Sequence, residues 1–160
     1  MRKLFYVAFV ALIALLVLSG AVSAAGSDTV VVNGNIATTM EVNAAAASIE
    51  FGSMVAGTEE SGSTNINVVT TSTSWNVKAS DERTATKGFM YKPTDIKLTN
   101  ALRFGKTADP TGTLVTDFAS FMSGTTAGSF DQMAYIEQDI APADQQGTYT
   151  MTITFTGSAS

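Results

Sequence analysis

The chain contains no cysteine and no histidine, a single tryptophan and only three prolines. Without cysteine, the fold must be held by packing rather than by disulfides, even in an oxidising compartment. Without histidine, it lacks the commonest general base and the commonest metal ligand together. No serine sits in a G-x-S-x-G elbow, so nucleophilic hydrolysis has no motif to rest on. The acidic pairs Glu59-Glu60 and Asp81-Glu82, and the group Gln138, Asp139 and Asp144, lack the spaced carboxylates of a calcium loop. They read as solvated loops. The expectation is a protein that is not an enzyme, with no catalytic residue, no cofactor and no metal.

Basic charge is also scarce, and it is sorted. There are 9 Lys and Arg residues against 14 Asp and Glu. Arg2 and Lys3 lie at the extreme N-terminus, and the remaining basic residues all fall between Lys78 and Lys106. An acidic chain without a basic stripe is not expected to bind nucleic acid. The ordinary reading of the basic middle is a solvated face. The sharper one is a patch that meets the acidic flanks of a neighbouring copy.

Only one long apolar run is present. Met1, Arg2 and Lys3 precede an uninterrupted apolar stretch from Leu4 to Leu18, and small residues from Ser19 to Ala24 follow it. This is the pattern of a cleavable signal peptide, with the cut after Ala24 or, alternatively, after Ala25. The run is shorter than the roughly 20 residues of a membrane span, and an uncleaved anchor is the competing reading. The expected organisation is therefore a signal peptide over 1–24 and a single secreted domain over 25–160, enough chain for one hydrophobic core. Contact with the membrane is expected only through the leader before cleavage.

What the sequence does have is alternation. Val30, Val32, Ile36, Met40 and Val42 share one parity, with polar residues between most of them, which suggests one long strand kinked at Gly34. An Asn33-Gly34 hairpin would split those apolar residues between two faces. Ile49 and Phe51 mark a short strand ended by Gly52, and Gly57 to Ser63 reads as a polar turn region. Ile66 and Val68, then Trp75, Val77 and Ala79, carry two further strands around the break Ser72-Thr73-Ser74. Phe89 to Tyr91, Ile96 to Phe104 and Met133 to Ile140 are further strand candidates, and a short helix is expected near Asp117 to Met122. The chain closes on Gly147 to Gly157, where threonines alternate with Tyr149, Met151, Ile153 and Phe155. Threonine is β-branched yet wettable, so this stripe predicts a closing strand with a solvent face and a core face. Many short strands between Gly, Ser, Thr and Asn turns predict an all-β Greek-key sandwich, immunoglobulin-like or jelly-roll-like.

Trp75 is in phase with Val77 and Ala79 and is expected in the core, the alternative being a ligand-stacking platform. Asp144 to Tyr149, with Gly147 two residues before the tyrosine, resembles a tyrosine corner, in which the hydroxyl bonds back to the upstream backbone. Phe51, Gly52, Trp75, Gly147 and Tyr149 are thus the structural positions of note.

The ordered pieces Thr39 to Val42, Phe51-Gly52, Asn67 to Val69, Ser72 to Val77 and Asp144 to Phe155 resemble the WxL-like and spore-coat-U-like secreted β-sandwiches of microbial surfaces. The Trp-x-Leu position reads Trp75-Asn76-Val77, and no second tryptophan is present. The spore-coat-U-type pilins and the camelysin/TasA-type matrix proteins, which lie nearby, assemble as fibres. The resemblance implies an exported, non-enzymatic structural protein that associates with itself or with other surface proteins. Thr29, Val30, Val31 and Val32 are the candidate donor strand, since an extended Val-rich segment can add to an open sheet edge. The alternative is a monomeric, surface-associated module binding carbohydrate or cell-wall polysaccharide, with Trp75, or Tyr91 and Tyr135, lining a groove.

Overall fold

Antiparallel strands carry all the regular structure of residues 33–160, the part of the chain that the computed structural model describes. The expected cleavage positions Ala24 and Ala25 and the candidate donor residues Thr29, Val30, Val31 and Val32 lie outside the described residues. Asn33 to Thr39 are exposed and irregular, and Ile36–Ser160 forms one compact unit.

In chain order the strands are β1 (Met40–Ala44), β2 (Glu59–Thr70), β3 (Trp75–Ser80), β4 (Arg103–Gly105), β5 (Gly112–Thr113), β6 (Phe118–Gly124), β7 (Gly128–Asp139) and β8 (Thr154–Ala159). They form a five-stranded sheet in the order β1-β2-β7-β4-β5 and a three-stranded sheet in the order β6-β3-β8. The protein is an all-β sandwich, as the alternation predicted. The inner faces supply the core: Ile66 and Val68 from β2, Trp75, Val77 and Ala79 from β3, Phe104 from β4, Phe121 from β6, and Ala134 and Ile136 from β7. Rings of Phe104, Phe118, Phe121 and Phe155 meet edge-on or tilted, with centroids between 5.2 and 6.5 Å apart, a geometry that adds to simple burial.

Trp75 is buried, its indole N–H donating to the Thr126 carbonyl at 3.0 Å and its ring lying 4.9 Å from that of Phe130. Tyr149 is also buried, in a satellite cluster with Leu98 and Ile140. Its hydroxyl donates to the Gln145 carbonyl at 2.7 Å, reaching back four residues as a tyrosine corner does.

Several boundaries differ from expectation. The first strand covers only Met40–Ala44 among the described residues. Ile49 and Phe51 lie in an irregular segment that leans on the core, and Gly52 turns there at a φ of 69°. The stretch Gly57 to Ser63 is not all turn, because β2 already begins at Glu59. Gly62 sits within it because the Ile49 side chain packs where a Cβ would stand. Phe89 to Tyr91 and Ile96 to Leu102 are loops joined by single bridges, Tyr91 pairing with both Lys97 and Thr150. The expected helix near Asp117 to Met122 is the strand β6. A register shift against β3, between the pairs Val77–Met122 and Ala79–Phe118, turns both Phe121 and Met122 inward and gives the segment a helix-like spacing.

Candidate functional site

The closing stripe, Gly147 to Gly157, borders the groove of interest. Its phase is as expected: Tyr149 is buried, Met151, Ile153 and Phe155 are half-buried, and Thr148, Thr150, Thr152 and Thr156 are exposed. It is not one strand, however. Thr150 bridges Tyr91, β8 starts only at Thr154, and among the described residues no backbone–backbone hydrogen bond engages Met151, Thr152 or Ile153.

β8 and β1 are edge strands of their respective sheets and lie along the same side of the sandwich. At one end this seam is shut. A Cβ added to Gly157 would stand 2.7 Å from Met40 Cε and 2.8 Å from Val42 Cγ2, so glycine there leaves room for the β1 side chains that close the seam. At the other end the segments Ala44 to Phe51 and Tyr149 to Phe155 flank a groove of about 410 Å³. Its floor reaches the core at Leu102, Phe104, Ala134 and Ile136, and its walls carry Ile49, Phe51, Met151 and Ile153. Met90 lies along it and packs against both core clusters.

The edges beside this groove carry, in a definite phase, backbone groups without a partner among the described residues. The Ser160 N–H bonds the Ser74 carbonyl, so Thr154, Thr156 and Ser158 direct their backbone groups to β3. Ile153, Phe155 and Gly157 therefore direct theirs away from β3, toward the seam. On β1 the bonds Ala45 N–H to Asn65 carbonyl and Thr71 N–H to Thr39 carbonyl fix the phase in the same way. Met40, Val42 and Ala44 face outward. Apolar floor, half-buried apolar walls and a row of N–H and C=O groups without partners among the described residues are the features an extended chain can pair with.

Of the positions singled out from sequence, Phe51 and Tyr149 line the groove, and Gly52 and Gly147 lie in the exposed turns adjoining Phe51 and Tyr149. Trp75 does not line it. Buried and bonded as it is, it offers no platform for a sugar, and the Tyr91 and Tyr135 rings do not line the groove either. Met151 and Ile153 point inward as the alternation predicted, half-buried against the core, and they also line the groove, which period-two alternation does not reveal.

A polar cluster sits apart from the groove, on the outer face of the larger sheet. Arg103 of β4 forms ion pairs with Glu59, with Glu137 at 3.0 Å, with Asp109 at 3.6 Å and with Asp139 at 3.7 Å. Burial pushes the Glu137 carboxyl above its ordinary range. Arg103 opposes that rise, and Glu59, Asp109 and Asp139 add to it. Lys78 and Lys87 pair with Asp117, and Arg83 with Asp95. Four of the seven basic residues between Lys78 and Lys106 thus meet acids of their own domain.

No protein-family model matches the chain, and no curated protein matches it. Among solved structures it is similar to a chain in the crystal structure of the CsuC-CsuE chaperone-tip adhesion subunit pre-assembly complex, from the archaic chaperone-usher Csu pili of Acinetobacter baumannii. The identity is 16%, the TM-score 0.46, and the match covers 74% of this chain but only 39% of that one.

Proposed function

We propose that this is a non-enzymatic structural protein of the cell surface or extracellular space, a fibre-forming subunit whose open seam accepts an extended β segment from a neighbouring subunit. One observation carries the reading: the apolar groove between Ala44 to Phe51 and Tyr149 to Phe155, which opens the core beside a backbone edge whose outward groups have no partner among the described residues. Filling such a groove stabilises by roughly 1.5–3 kcal/mol for each large aliphatic side chain buried, and each edge group gains a partner. The single apolar run at the N-terminus, read as an export signal, supports placement outside the cell. Cell-wall polysaccharide recognition loses its main support because Trp75 is inside the core.

Electron microscopy of the purified protein at rising concentration tests this directly. Filaments are expected. A population of single particles at every concentration would contradict the fibre reading.

A further inference from the structure

Sulfur enters this chain only as methionine: there are seven methionines and no cysteine. With the strand-accepting groove of the preceding section as premise, we propose that Met90 and Met151 are modification sites. Their oxidation to sulfoxide by a peroxide-class oxidant shuts the groove to its guest.

Of the methionines, these two line the groove. Both are half-buried, Met151 on a wall and Met90 along the groove, where it also packs against both core clusters. Met122, by contrast, is buried in the core. Met133 is half-buried on the outer face of the larger sheet, where β7 pairs it with Asn65 of β2. Exposure governs oxidation, so a small oxidant in solvent reaches Met90, Met151 and Met133 before it reaches Met122.

In the step itself, a thioether lone pair attacks one oxygen of hydrogen peroxide. The O–O bond breaks, an S–O bond forms, and the departing hydroxide takes up a proton and leaves as water. The sulfur loses two electrons and the peroxide gains them. A flexible apolar side chain becomes a polar one carrying a strong acceptor. In the open groove, water satisfies that oxygen. Beneath a bound strand water is excluded, and Ile49, Phe51, Leu102, Phe104, Ile136 and Ile153 around it offer no side-chain donor. The guest's own N–H groups are spent on the sheet edge. A buried acceptor without a partner opposes binding, so each sulfoxide should raise the protein concentration needed for filaments by roughly tenfold. A guest already in place covers both sulfurs, so the switch acts on unassembled subunits. It is reversible, because reductases specific for each sulfoxide epimer restore the thioether.

The full-length protein tests this without any substitution. It is treated with a limiting dose of hydrogen peroxide, freed of oxidant and left to assemble. Filaments are then sedimented, and peptide mass spectrometry locates the sulfoxides in pellet and supernatant. Sulfoxide at Met90 and Met151 should be enriched in the supernatant by roughly tenfold, while sulfoxide at Met133 should divide evenly. The supernatant should keep the circular dichroism spectrum of the folded monomer, and the reductase pair should return it to filaments. Even division of all three sulfoxides, or a supernatant that has lost its fold, would overturn the inference and leave the strand-accepting reading standing. Met90 and Met151 staying reduced while Met133 oxidises would overturn it as well, by showing both sulfurs covered in the free subunit. If the untreated protein forms no filaments, the fibre reading itself falls and takes this inference with it.

Discussion

Glu137 shows at a single residue how the outer face of the larger sheet is balanced. Its carboxyl is buried beside one guanidinium and three other acids, and its pKa is raised above the ordinary 4.5 by that burial. An acid whose folded pKa lies above its unfolded value binds its proton more readily when folded. Stability is then fully present at low pH and is lost as pH rises through the folded pKa. The expectation is a melting temperature that falls as pH rises above about 4.5, with this part of the slope abolished in Glu137→Gln. Melting curves across that range check it; an unchanged slope in the variant would assign the dependence elsewhere. Asp144 behaves in the opposite sense. Burial alone would raise its pKa, but bonds from Thr99 and from the Ala141 N–H bring it below the ordinary 3.8. Its contribution is therefore present above that value and disappears only in stronger acid.

At the scale of elements, period-two alternation located the strands but not where their ladders stop. Trp75, Val77 and Ala79 were legible as one face of a strand, and Ile66 with Val68 as another, because both are flanked by partners on two sides. Leu98, Leu102 and Phe104 alternate just as well, yet only Arg103–Gly105 forms a strand there. Asp144 takes the backbone N–H and the hydroxyl of Thr99, capturing the loop through a side chain where a ladder would have used backbone. The helix-like spacing of Phe118 and Phe121 came from a bulge, which no single-strand pattern contains. The segment Met151 to Ile153 keeps strand alternation without a strand partner among the described residues, since pairing depends on what lies alongside and not on the segment itself. This changes what a charge does there. Val77→Asp, at a fully buried position, should unfold the domain, because an unpaired charge would be sealed in the core. Ile153→Asp, on the groove wall, should leave the monomer folded, with far-UV circular dichroism unchanged, yet abolish filaments. If Ile153→Asp unfolds the protein as Val77→Asp does, the groove is closed core and the seam is not a receptor.

For the whole molecule, the architecture was legible and the groove beside the closing stripe was not. Composition excluded a disulfide scaffold and gave no support to a histidine-based active site, and the alternation gave an all-β sandwich. The ordinary sequence reading of the basic middle was a solvated face, and Lys78, Arg83, Lys87 and Arg103 there pair with acids of the same domain. The proposed function rests instead on apolar burial and backbone pairing along one seam. Hydrogen exchange resolved at single amides tests this claim most directly, comparing the assembled protein with a form lacking residues 25–32. The Thr154 N–H already bonds across to β3 and should be protected in both. The Ile153 and Phe155 N–H groups, facing the seam, should exchange rapidly in the truncated form and become protected by at least tenfold on assembly. Equal exchange at Ile153 and Phe155 in the two forms would contradict the account.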